Sequence, residues 1–564
     1  MTEDASITTT ASLNTAARIA WGALIVITLA VCYFSNLGAI GFVGPDEPRY
    51  AWIARDMAET GDWVTPRLYS KPWFEKPVLY YWMAGACFKL FGVSEITARL
   101  PSALCALFAT LALAALAWRT YGAETARWLL LLLPTSVGMI GFSHAAATDM
   151  PFSGMLTIAM FFAAIVLGLT RNESTPILPR TPWLALIFFG IFLGLAMLAK
   201  GPAAIILSGG AVFLWALFTK RWRDALRLLH PVAIVSFCAT ALPWYVLCAR
   251  RNPDFFRVFI IEHNFKRYLT PEFQHIQPFW YYVPVVLIAF LPWTAALIWA
   301  CISAALKFIE GAKPSTTSLF LASWSFFCLL FFSASRSKLP GYVLPAFPAI
   351  ALLLSATVAR SVAKRVMGYG LAGFAFLLFG GLLPLRMALH QTSSRGWPLV
   401  FWCYAAVLVT LAVANSALAF SEFLPKNSTA QVTLRAAAIL VVLLPLLFGN
   451  RLLHGGVIWD FSGRTLADEL RLRNVPLESL SVRAMNRGQL YSLDFYMRKE
   501  IPLVEQSELR EGNMLLRSSA CGLLGTERWE TRDLPFDAQR TGWFLCEVKR
   551  RSLSNSPAGS GQLR

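Results

Sequence analysis

The sequence has little charge for its length. Asp, Glu, Lys and Arg make up 15% of its 564 residues, whereas hydrophobic residues make up 56% and the mean hydropathy is +0.54. Soluble domains carry about 25% charged residues. This shortage excludes a chain of soluble domains and indicates a polytopic membrane protein.

The chain also lacks the short motifs that mark common catalytic sites. It has no P-loop, no GxGxxG segment after a strand, no internal repeat and no CxxC spacing among its ten cysteines. No Ser/His/Asp arrangement or nucleophilic cysteine stands out. Most of the cysteines lie in or beside apolar runs, as small core residues do. The sequence therefore does not indicate nucleotide-dependent or cysteine-based chemistry.

Acidic residues are scarce relative to basic ones. The chain has 32 Asp and Glu against 50 Lys and Arg, a formal net charge of +18. Membrane proteins concentrate basic residues in cytoplasmic loops, which accounts for part of this excess, and we expect no nucleic-acid partner. The basic residues left in outer loops would suit anionic lipids or phosphate-bearing substrates.

Apolar runs predict thirteen transmembrane helices after a cytoplasmic leader, residues 1–15. The run 78–92 is too short for a span and contains Lys89, so we expect it to lie along the membrane interface. With that choice the basic loops fall inside, which places the N-terminus in the cytoplasm and the C-terminus outside. The predicted spans are 16–37, 97–117, 123–143, 150–170, 183–200, 202–219, 230–249, 279–303, 317–334, 342–360, 368–386, 397–420 and 431–449.

One long polar stretch, 43–77, interrupts the apolar first half and lies in the first outer loop, 38–96. A helix is expected from Asp46 to Gly61, with an acidic first turn, Pro48 near its start and glycine at its end. Asp46 is either an N-cap or a functional carboxylate. Glu75 and Lys76, at the end of the stretch, are either a surface ion pair or part of a site. The candidate site residues of this stretch are Asp46, Arg49, Glu75 and Lys76.

Other polar groups fall on the same outer side in this topology. Asp149 precedes an apolar span and Lys200 ends one at a Gly-Pro break, while the segments 249–277 and 335–341 are predicted outer loops. Helix capping, snorkelling and interfacial anchoring are the alternative explanations. Polar groups converging on one membrane face would assemble a site between helices. The further candidates are Asp149, Lys200, His263, Arg267, Lys338 and Tyr342.

The chain becomes more polar after the last apolar run. An amphipathic segment at 466–472 and short strands at 480–483, 489–496, 501–504 and 543–548 predict a small α/β domain over 450–551 outside the membrane. In an oxidising compartment Cys521 and Cys546 either form a disulfide or remain two thiols. Residues 552–564 are rich in Ser and Gly and are expected to be disordered.

Several ordered motifs resemble one family. The segments PDEPRYAWIARDM, GDWVTPRL and FEKPVLYYW, followed by RLPSA, LAKGP and SKLPGYVLP, resemble membrane glycosyltransferases that use polyprenyl-phosphate sugars. Within them, the chain is most similar to the undecaprenyl-phosphate aminoarabinose transferases that modify lipid A. The resemblance implies a GT-C fold: an all-α polytopic membrane bundle (domain 16–449), interfacial helices in the first outer loop, and a small C-terminal α/β periplasmic domain.

The same resemblance implies the chemistry. It makes Asp46 and Asp149 the acidic catalytic positions, and it makes Arg49, Glu75, Lys76, Lys200, Arg267 and Tyr342 substrate-binding, to which we add Lys338. Glu75 with His263 is the pair it offers for a divalent cation (Zn²⁺ or Mg²⁺), although no cofactor is required.

It also implies a bacterial inner-membrane enzyme that moves 4-amino-4-deoxy-L-arabinose from undecaprenyl phosphate to a lipid A phosphate. We expect a single inverting displacement at the periplasmic face and a monomer. A related transferase with a protein or glycan acceptor is the alternative. A lipid transporter is less favoured, because transporters place ionisable groups near the bilayer midplane.

Overall fold

The structure, a computed structural model, describes residues 15–169, 182–266, 276–359, 462–504, 510–516, 521–524, 529–536, 538–541 and 543–551. The chain forms two compact units. The membrane unit comprises Met1–Leu37, Ile53–Arg67 and Lys71–Leu452. The C-terminal unit comprises Leu453–Arg564 together with two pieces of the first loop, Gly38–Trp52 and Leu68–Ser70. The sequence predicted a domain at 450–551 but not that loop segments would join it.

The first two-thirds of the described chain is helical apart from a two-stranded hairpin in the first loop, β1 (Arg67–Leu68) and β2 (Lys71–Pro72). Short 3₁₀ turns occur at Arg227–Leu229, Phe279–Tyr281 and Pro340–Ala346, and a wider π-type helix at Arg257–Lys266. The α-helices are α1 (Thr15–Phe34), α2 (Asp46–Thr60), α3 (Leu79–Phe91), α4 (Glu95–Tyr121), α5 (Ala123–Leu132), α6 (Val137–Ser143), α7 (Asp149–Val166), α8 (Trp183–Lys200), α9 (Ala203–Thr219), α10 (Trp222–Leu226), α11 (Pro231–Arg251), α12 (Tyr282–Ala289), α13 (Thr294–Ile309), α14 (Thr316–Ala334) and α15 (Phe347–Ala359).

Six helical segments of the described chain are long and apolar enough to cross a membrane, and the bent pair α5 and α6 makes a seventh if it is one span. Shorter apolar helices occur at Arg18–Phe34, Ala203–Thr219, Phe279–Ala289 and Thr294–Ile309. The predicted spans 368–386, 397–420 and 431–449 lie outside the described residues. The total of thirteen therefore stays a prediction.

Two predicted continuous spans are broken in the structure. The run 123–143 forms two helices bent by 64°. Pro134 at the break has no N–H to continue the helical hydrogen bonds. The hydroxyl groups of Thr135 and Ser136 also donate to the carbonyl oxygens of Leu131 and Leu133. The run 279–303 ends one helix at Ala289 and starts another at Thr294. Pro292 between them has no N–H to continue the helical hydrogen bonds.

The predicted loop 249–277 is also more helical than expected. Helix α11 continues to Arg251, and the π-type helix Arg257–Lys266 follows after a short turn. Apolar positions explain this segment, because Phe255 and Phe259 are buried and their rings stack 5.6 Å apart. Glu262 and Lys266, polar residues of the predicted loop, therefore lie on a helix.

Small residues let the central helices of the membrane unit approach closely. Helix α7 packs against α4 and α8, and α8 packs against α11. A Cβ atom added at Gly190 or Gly194 of α8 would collide with α11, for example 2.3 Å from the carbonyl oxygen of Ala233. This spacing of two small residues four positions apart is typical of membrane helix contacts. It fixes α8, whose last residue is Lys200.

The C-terminal unit is an α/β fold. Its sheet has the order β3-β4-β6-β5, with β3 parallel to β4 and the remaining neighbours antiparallel. Helices and strand residues such as Leu470, Leu493 and Leu515 form its apolar core. Its elements are α16 (Arg464–Leu472), β3 (Leu480–Val482), α17 (Arg487–Met497), β4 (Gly512–Leu516), β5 (Trp529–Leu534), α18 (Ala538–Thr541), β6 (Phe544–Arg550) and a 3₁₀ turn at Cys521–Leu524.

Sequence reasoning placed some strands of this unit correctly and one wrongly. Strands at 480–483 and 543–548 are confirmed by β3 and β6, whereas 489–496 is wrong because these residues form α17. The side chain of Asn486 accepts a hydrogen bond from the Gln489 amide and caps that helix. The segment 501–504 makes a single bridge, from Leu503 to Val482. Cys521 and Cys546 form a disulfide.

Candidate active site

A partly buried ion pair joins two helix ends of the membrane unit. Asp149 is the first residue of α7 and Lys200 the last residue of α8. The Lys200 ammonium lies 2.5 Å from Oδ1 of Asp149, and the two side chains are only 10% and 22% exposed. Gly201 follows with a φ of +80°, which ends α8 immediately after the lysine. The predicted Gly-Pro break thus holds this cation against the carboxylate.

The segment Pro340–Ala346 completes this group. Nζ of Lys200 lies 4.7 Å from the centroid of the Tyr342 ring, a cation–π distance. A Cβ atom at Gly341 would come 2.8 Å from Oδ1 of Asp149, so only glycine lets the chain pass this close to the carboxylate. The structure therefore brings together Asp149, Lys200 and Tyr342, three of the residues predicted from the sequence.

Lys338 has different neighbours. Its ammonium group donates to the carbonyl oxygens of Ser335, at 2.5 Å, and Gln277, at 3.0 Å. The residue is buried, and burial together with the nearby Arg336 guanidinium lowers its pKa. These contacts favour a role in fixing the 335–341 segment, while a role in binding substrate stays a prediction.

Glu75 and Lys76 are neighbours in space as well as in sequence, 3.9 Å apart between Oε1 and Nζ and both largely buried. Glu75 lines a cavity of about 470 Å³, within the range typical of ligand pockets. Aromatic and charged side chains from the first loop, the end of α11, the turn after it and the start of the π-type helix share its wall. They include Trp73, Phe74, Arg251, Asp254 and Arg257.

The described residues near Glu75 do not supply a set of ligands for a divalent cation. Glu75 has Lys76 beside it and two arginines in the same cavity, and zinc or magnesium sites need several anionic or neutral donors. His263 lies in the π-type helix, but its side chain is outside the described residues. Over the described part of the chain, one group of three potential metal ligands lies close together, formed by Cys521, Asp533 and Cys546. Its two cysteine sulfurs are already bonded to each other in the disulfide.

Asp46 and Arg49 belong to the C-terminal unit. Asp46 opens α2 and its Oδ1 accepts a hydrogen bond from the Arg49 guanidinium, which also donates from Nε to the carbonyl oxygen of Pro45 at 2.7 Å. Arg49 is buried, whereas the side chain of Asp46 is 47% exposed. Glu47 is buried and accepts from the amide of Val43 at 2.9 Å. The buried guanidinium of Arg49 therefore holds the carboxylate of Asp46 at a partly exposed position.

Sequence reasoning missed the residues of the C-terminal unit that surround this pair. The Tyr491 ring lies 5.4 Å from Cζ of Arg49. Tyr69, in the first loop, donates its hydroxyl hydrogen to Oδ2 of Asp494 at 2.5 Å. Burial raises the pKa of Asp494 to about 7 despite this bond and a second one from the Ile501 amide. No signal in the sequence linked positions more than 400 residues apart.

The predicted site residues therefore form three described groups. Asp149, Lys200 and Tyr342 meet in the membrane unit, which also contains the Glu75–Lys76 pair, and Asp46 meets Arg49 in the C-terminal unit. Arg267 lies outside the described residues.

A helical membrane protein with carboxylate–cation pairs at helix ends and a small α/β unit matches a known class of enzyme. The family model for dolichyl-phosphate-mannose-protein mannosyltransferase matches residues 19–259. Crystal structures of ArnT from Cupriavidus metallidurans, bound to undecaprenyl phosphate and in the apo state, both match with a TM-score of 0.68. They are 27% and 26% identical in sequence, and the matches cover 86% and 87% of both chains. The fold is the GT-C fold of membrane glycosyltransferases, as predicted.

Relatives that are similar in sequence identify one family within this class of membrane glycosyltransferases. The undecaprenyl phosphate-α-4-amino-4-deoxy-L-arabinose arabinosyl transferase of Serratia proteamaculans (strain 568) is 32% identical over 67% of this chain and 68% of its own length. That of Pseudomonas aeruginosa (strain UCBPP-PA14) is 30% identical over 78% and 77%. Some family members align over less, such as that of Aeromonas salmonicida (strain A449), over 55% of its length. The chain belongs to this family of arabinosyl transferases.

Proposed function

We propose that the protein transfers 4-amino-4-deoxy-L-arabinose from undecaprenyl phosphate to a phosphate group of lipid A. Membership of the arabinosyl transferase family and the similarity to ArnT bound to undecaprenyl phosphate support the donor. The observation that carries the proposal on this chain is the partly buried Asp149–Lys200 pair beside Tyr342. A partly buried cation at a helix end suits a lipid-linked phosphate.

The reaction needs charge stabilisation more than proton transfer. A phosphate oxygen of the acceptor forms a bond to the anomeric carbon, and the bond from that carbon to the oxygen of undecaprenyl phosphate breaks. The bonding electrons leave with the phosphate, which gains one negative charge. The attacking oxygen is already anionic at neutral pH, so no general base is required. The enzyme must hold two anions together while positive charge develops on the sugar.

The candidate residues divide between these two tasks. Arg49, Lys76, Lys200, Arg267 and Lys338 are the cations proposed to hold phosphate oxygens, with Tyr342 beside Lys200. Asp46 is proposed to orient the acceptor or stabilise the developing sugar cation, and Asp149 or Glu75 to pair with the sugar amine. No step requires a metal ion or another cofactor. Because no residue of the sequence stands out as a covalent nucleophile, we propose a single displacement that inverts the anomeric configuration.

The cellular setting follows from the topology predicted above. We propose a monomer in the bacterial inner membrane with a cytoplasmic N-terminus, and with the active site and the C-terminal unit in the periplasm. The Cys521–Cys546 disulfide supports this placement of the C-terminal unit, because disulfides persist in oxidising compartments.

Substitutions in the first loop test the proposal in cells. Asp46→Asn and Lys76→Ala would be expressed in a strain that makes the lipid-linked aminosugar but lacks its transferase, and lipid A would be examined by mass spectrometry. The wild-type protein should add the mass of the aminosugar, and both variants should lower the modified fraction strongly. Full modification by both variants would remove this loop from the mechanism. Unmodified lipid A with a glycosylated protein or glycan would favour the alternative acceptor.

A further inference from the structure

We propose that helix α17 of the C-terminal unit sets the position of Asp46 and Arg49, with Tyr491 as the positioning residue. This inference rests on the proposed function, in which Asp46 and Arg49 act on substrate. It assigns part of the machinery to a region of the chain from which the sequence predicted no site residue. Three contacts, all within the C-terminal unit, support it.

The first contact orients the arginine. The Tyr491 ring lies 5.4 Å from Cζ of Arg49, close enough for a cation–π interaction. The guanidinium group is also bonded to the Pro45 carbonyl oxygen and to the Asp46 carboxylate. The ring therefore adds a contact that restricts the orientation of the guanidinium, and with it that of the carboxylate that the guanidinium binds.

The second contact is between backbones. Gly488 lies one helical turn before Tyr491, and a Cβ atom at this position would come 2.9 Å from the carbonyl carbon of Gly44. Gly44 has a φ of +69° and precedes Asp46 by two residues. The start of α17 therefore rests directly on the turn that leads into the carboxylate.

The third contact holds the rest of the loop to the same helix. The Ser492 hydroxyl donates to the carbonyl oxygen of Phe42 at 2.9 Å, and the Phe42 amide donates to the Tyr496 hydroxyl at 3.0 Å. On the other loop segment, Tyr69 donates to Asp494. One helix thus contacts the loop on both sides of Asp46, before it at Phe42 and Gly44 and after it at Arg49 and Tyr69.

These contacts matter for rate because catalytic groups must be held close to their productive geometry. Displacements of about 1 Å reduce catalysis by up to about 100-fold. Tyr491 contacts the side chain of Arg49, so it acts through that residue. Its removal should leave the fold intact and release the Arg49–Asp46 pair.

The experiment compares Tyr491→Leu with Tyr491→Phe in purified enzyme, using lipid-linked aminosugar as donor and lipid A as acceptor. The leucine variant should lower kcat about tenfold, which corresponds to about 1.4 kcal/mol, with a smaller change in KM. The phenylalanine variant keeps the ring and should stay within about twofold of wild type. In an Arg49→Met background, Tyr491→Leu should cause no further loss, because positions that act through one another are not additive.

Two glycine variants and one arginine variant complete the test. Gly488→Ala should lower kcat although alanine favours helix formation, whereas Gly209→Ala, at a helical glycine with open space around it, should not. Arg487→Gln removes an exposed cation whose Cζ lies 5.5 Å from the centroid of the Tyr491 ring and whose Nε donates to the Tyr491 hydroxyl. Because the ring itself remains, this variant should leave kcat unchanged.

Each contrary result overturns the inference. One such result is that Tyr491→Leu lowers kcat by the same factor in the wild-type and the Arg49→Met background. Another is that Tyr491→Leu keeps full activity. The third is that Arg487→Gln lowers kcat as much as Tyr491→Leu does. Absence of transfer by the wild-type enzyme would instead contradict the proposed function.

Discussion

At the scale of single residues, the structure holds two cations in the same way. Lys200 lies between a carboxylate and an aromatic ring inside the membrane unit. Arg49 lies between Asp46 and Tyr491 in the C-terminal unit. Arg49 is buried and Lys200 is 10% exposed, and each cation has its partners already arranged, which lowers the cost of binding an anion.

The first prediction concerns Lys200. Lys200→Met should reduce sugar transfer by about 100-fold or more, because it removes a preorganised cation and leaves Asp149 partly buried without that partner. Initial rates of transfer by purified enzyme provide the measurement. Lys307→Met, which removes an exposed lysine from the last turn of α13, is the matched control. A Lys200→Met enzyme as fast as the control would exclude the ion pair from the site.

The second prediction concerns Asp494 and pH. Burial raises the pKa of this carboxyl from 3.8 to about 7 in the folded protein. Between these values the folded state binds the proton more tightly than the unfolded state does, so its contribution to stability is lost as pH rises from about 4 to 7.

Thermal unfolding of the wild type and Asp494→Asn across this range measures the effect. The melting temperature of the wild type, relative to the asparagine variant, should fall as pH rises and then level off above pH 7. Asp468→Asn, at an exposed position of the same unit, serves as control. If the melting temperature of the wild type relative to the asparagine variant stays constant or increases with pH, the raised pKa of Asp494 is contradicted.

At the scale of elements, long apolar runs and their punctuation were predictable. Helix α8 ends at Lys200 because Gly201 and Pro202 follow, and α2 begins at Asp46 and stops before Gly61. Both features depend on local backbone preferences that single residues control. The Asp149–Lys200 contact was expected only in outline, from two helix ends on one predicted membrane face.

Other elements were not predictable, for reasons that differ. The segment 489–496 has aromatic residues typical of strands, yet Asn486 caps it as a helix whose Leu493 packs into the core. Strands β4 and β5 were missed because their residues gain stability from neighbours distant in sequence. The docking of Tyr491 on Arg49 depends on the tertiary fold, which a residue pattern does not encode locally.

The third prediction concerns the disulfide. Cys546 lies in the inner strand β6, and the bond to Cys521 closes a loop with a sequence separation of 25. Replacing both cysteines with serine should lower the free energy of unfolding of the C-terminal unit by about 3 kcal/mol. Hydrogen exchange of the β6 amides should become faster. Cys301→Ser, at an exposed free cysteine of the membrane unit, should leave the hydrogen exchange of the β6 amides unchanged. Unchanged exchange in the double variant would contradict this.

At the scale of the whole molecule, the chain combines a helical membrane unit with an α/β unit that includes part of the first loop. The carboxylate at Asp46 therefore belongs to a different unit from the one at Asp149. Sequence reasoning treated 38–96 as one loop of the membrane domain, because nothing in its composition marks 38–52 and 68–70 as distinct from the rest.

The fourth prediction concerns orientation. Positive charge in alternate loops predicts a cytoplasmic N-terminus and a periplasmic C-terminus. A fluorescent protein that folds only in the cytoplasm should be bright when fused before Met1 and dark when fused after Arg564, and a periplasmic phosphatase reporter should give the reverse. A phosphatase active at the N-terminus would contradict the predicted orientation.

The most direct measurement of the central claim is transfer by the purified protein. Enzyme in detergent would receive undecaprenyl phosphate carrying labelled 4-amino-4-deoxy-L-arabinose, together with lipid A and without nucleotide. The account predicts labelled lipid A, an equal amount of released undecaprenyl phosphate, and a product whose anomeric configuration is opposite to that of the donor. Label that remains on the donor, or a product that retains the donor's configuration, would contradict it.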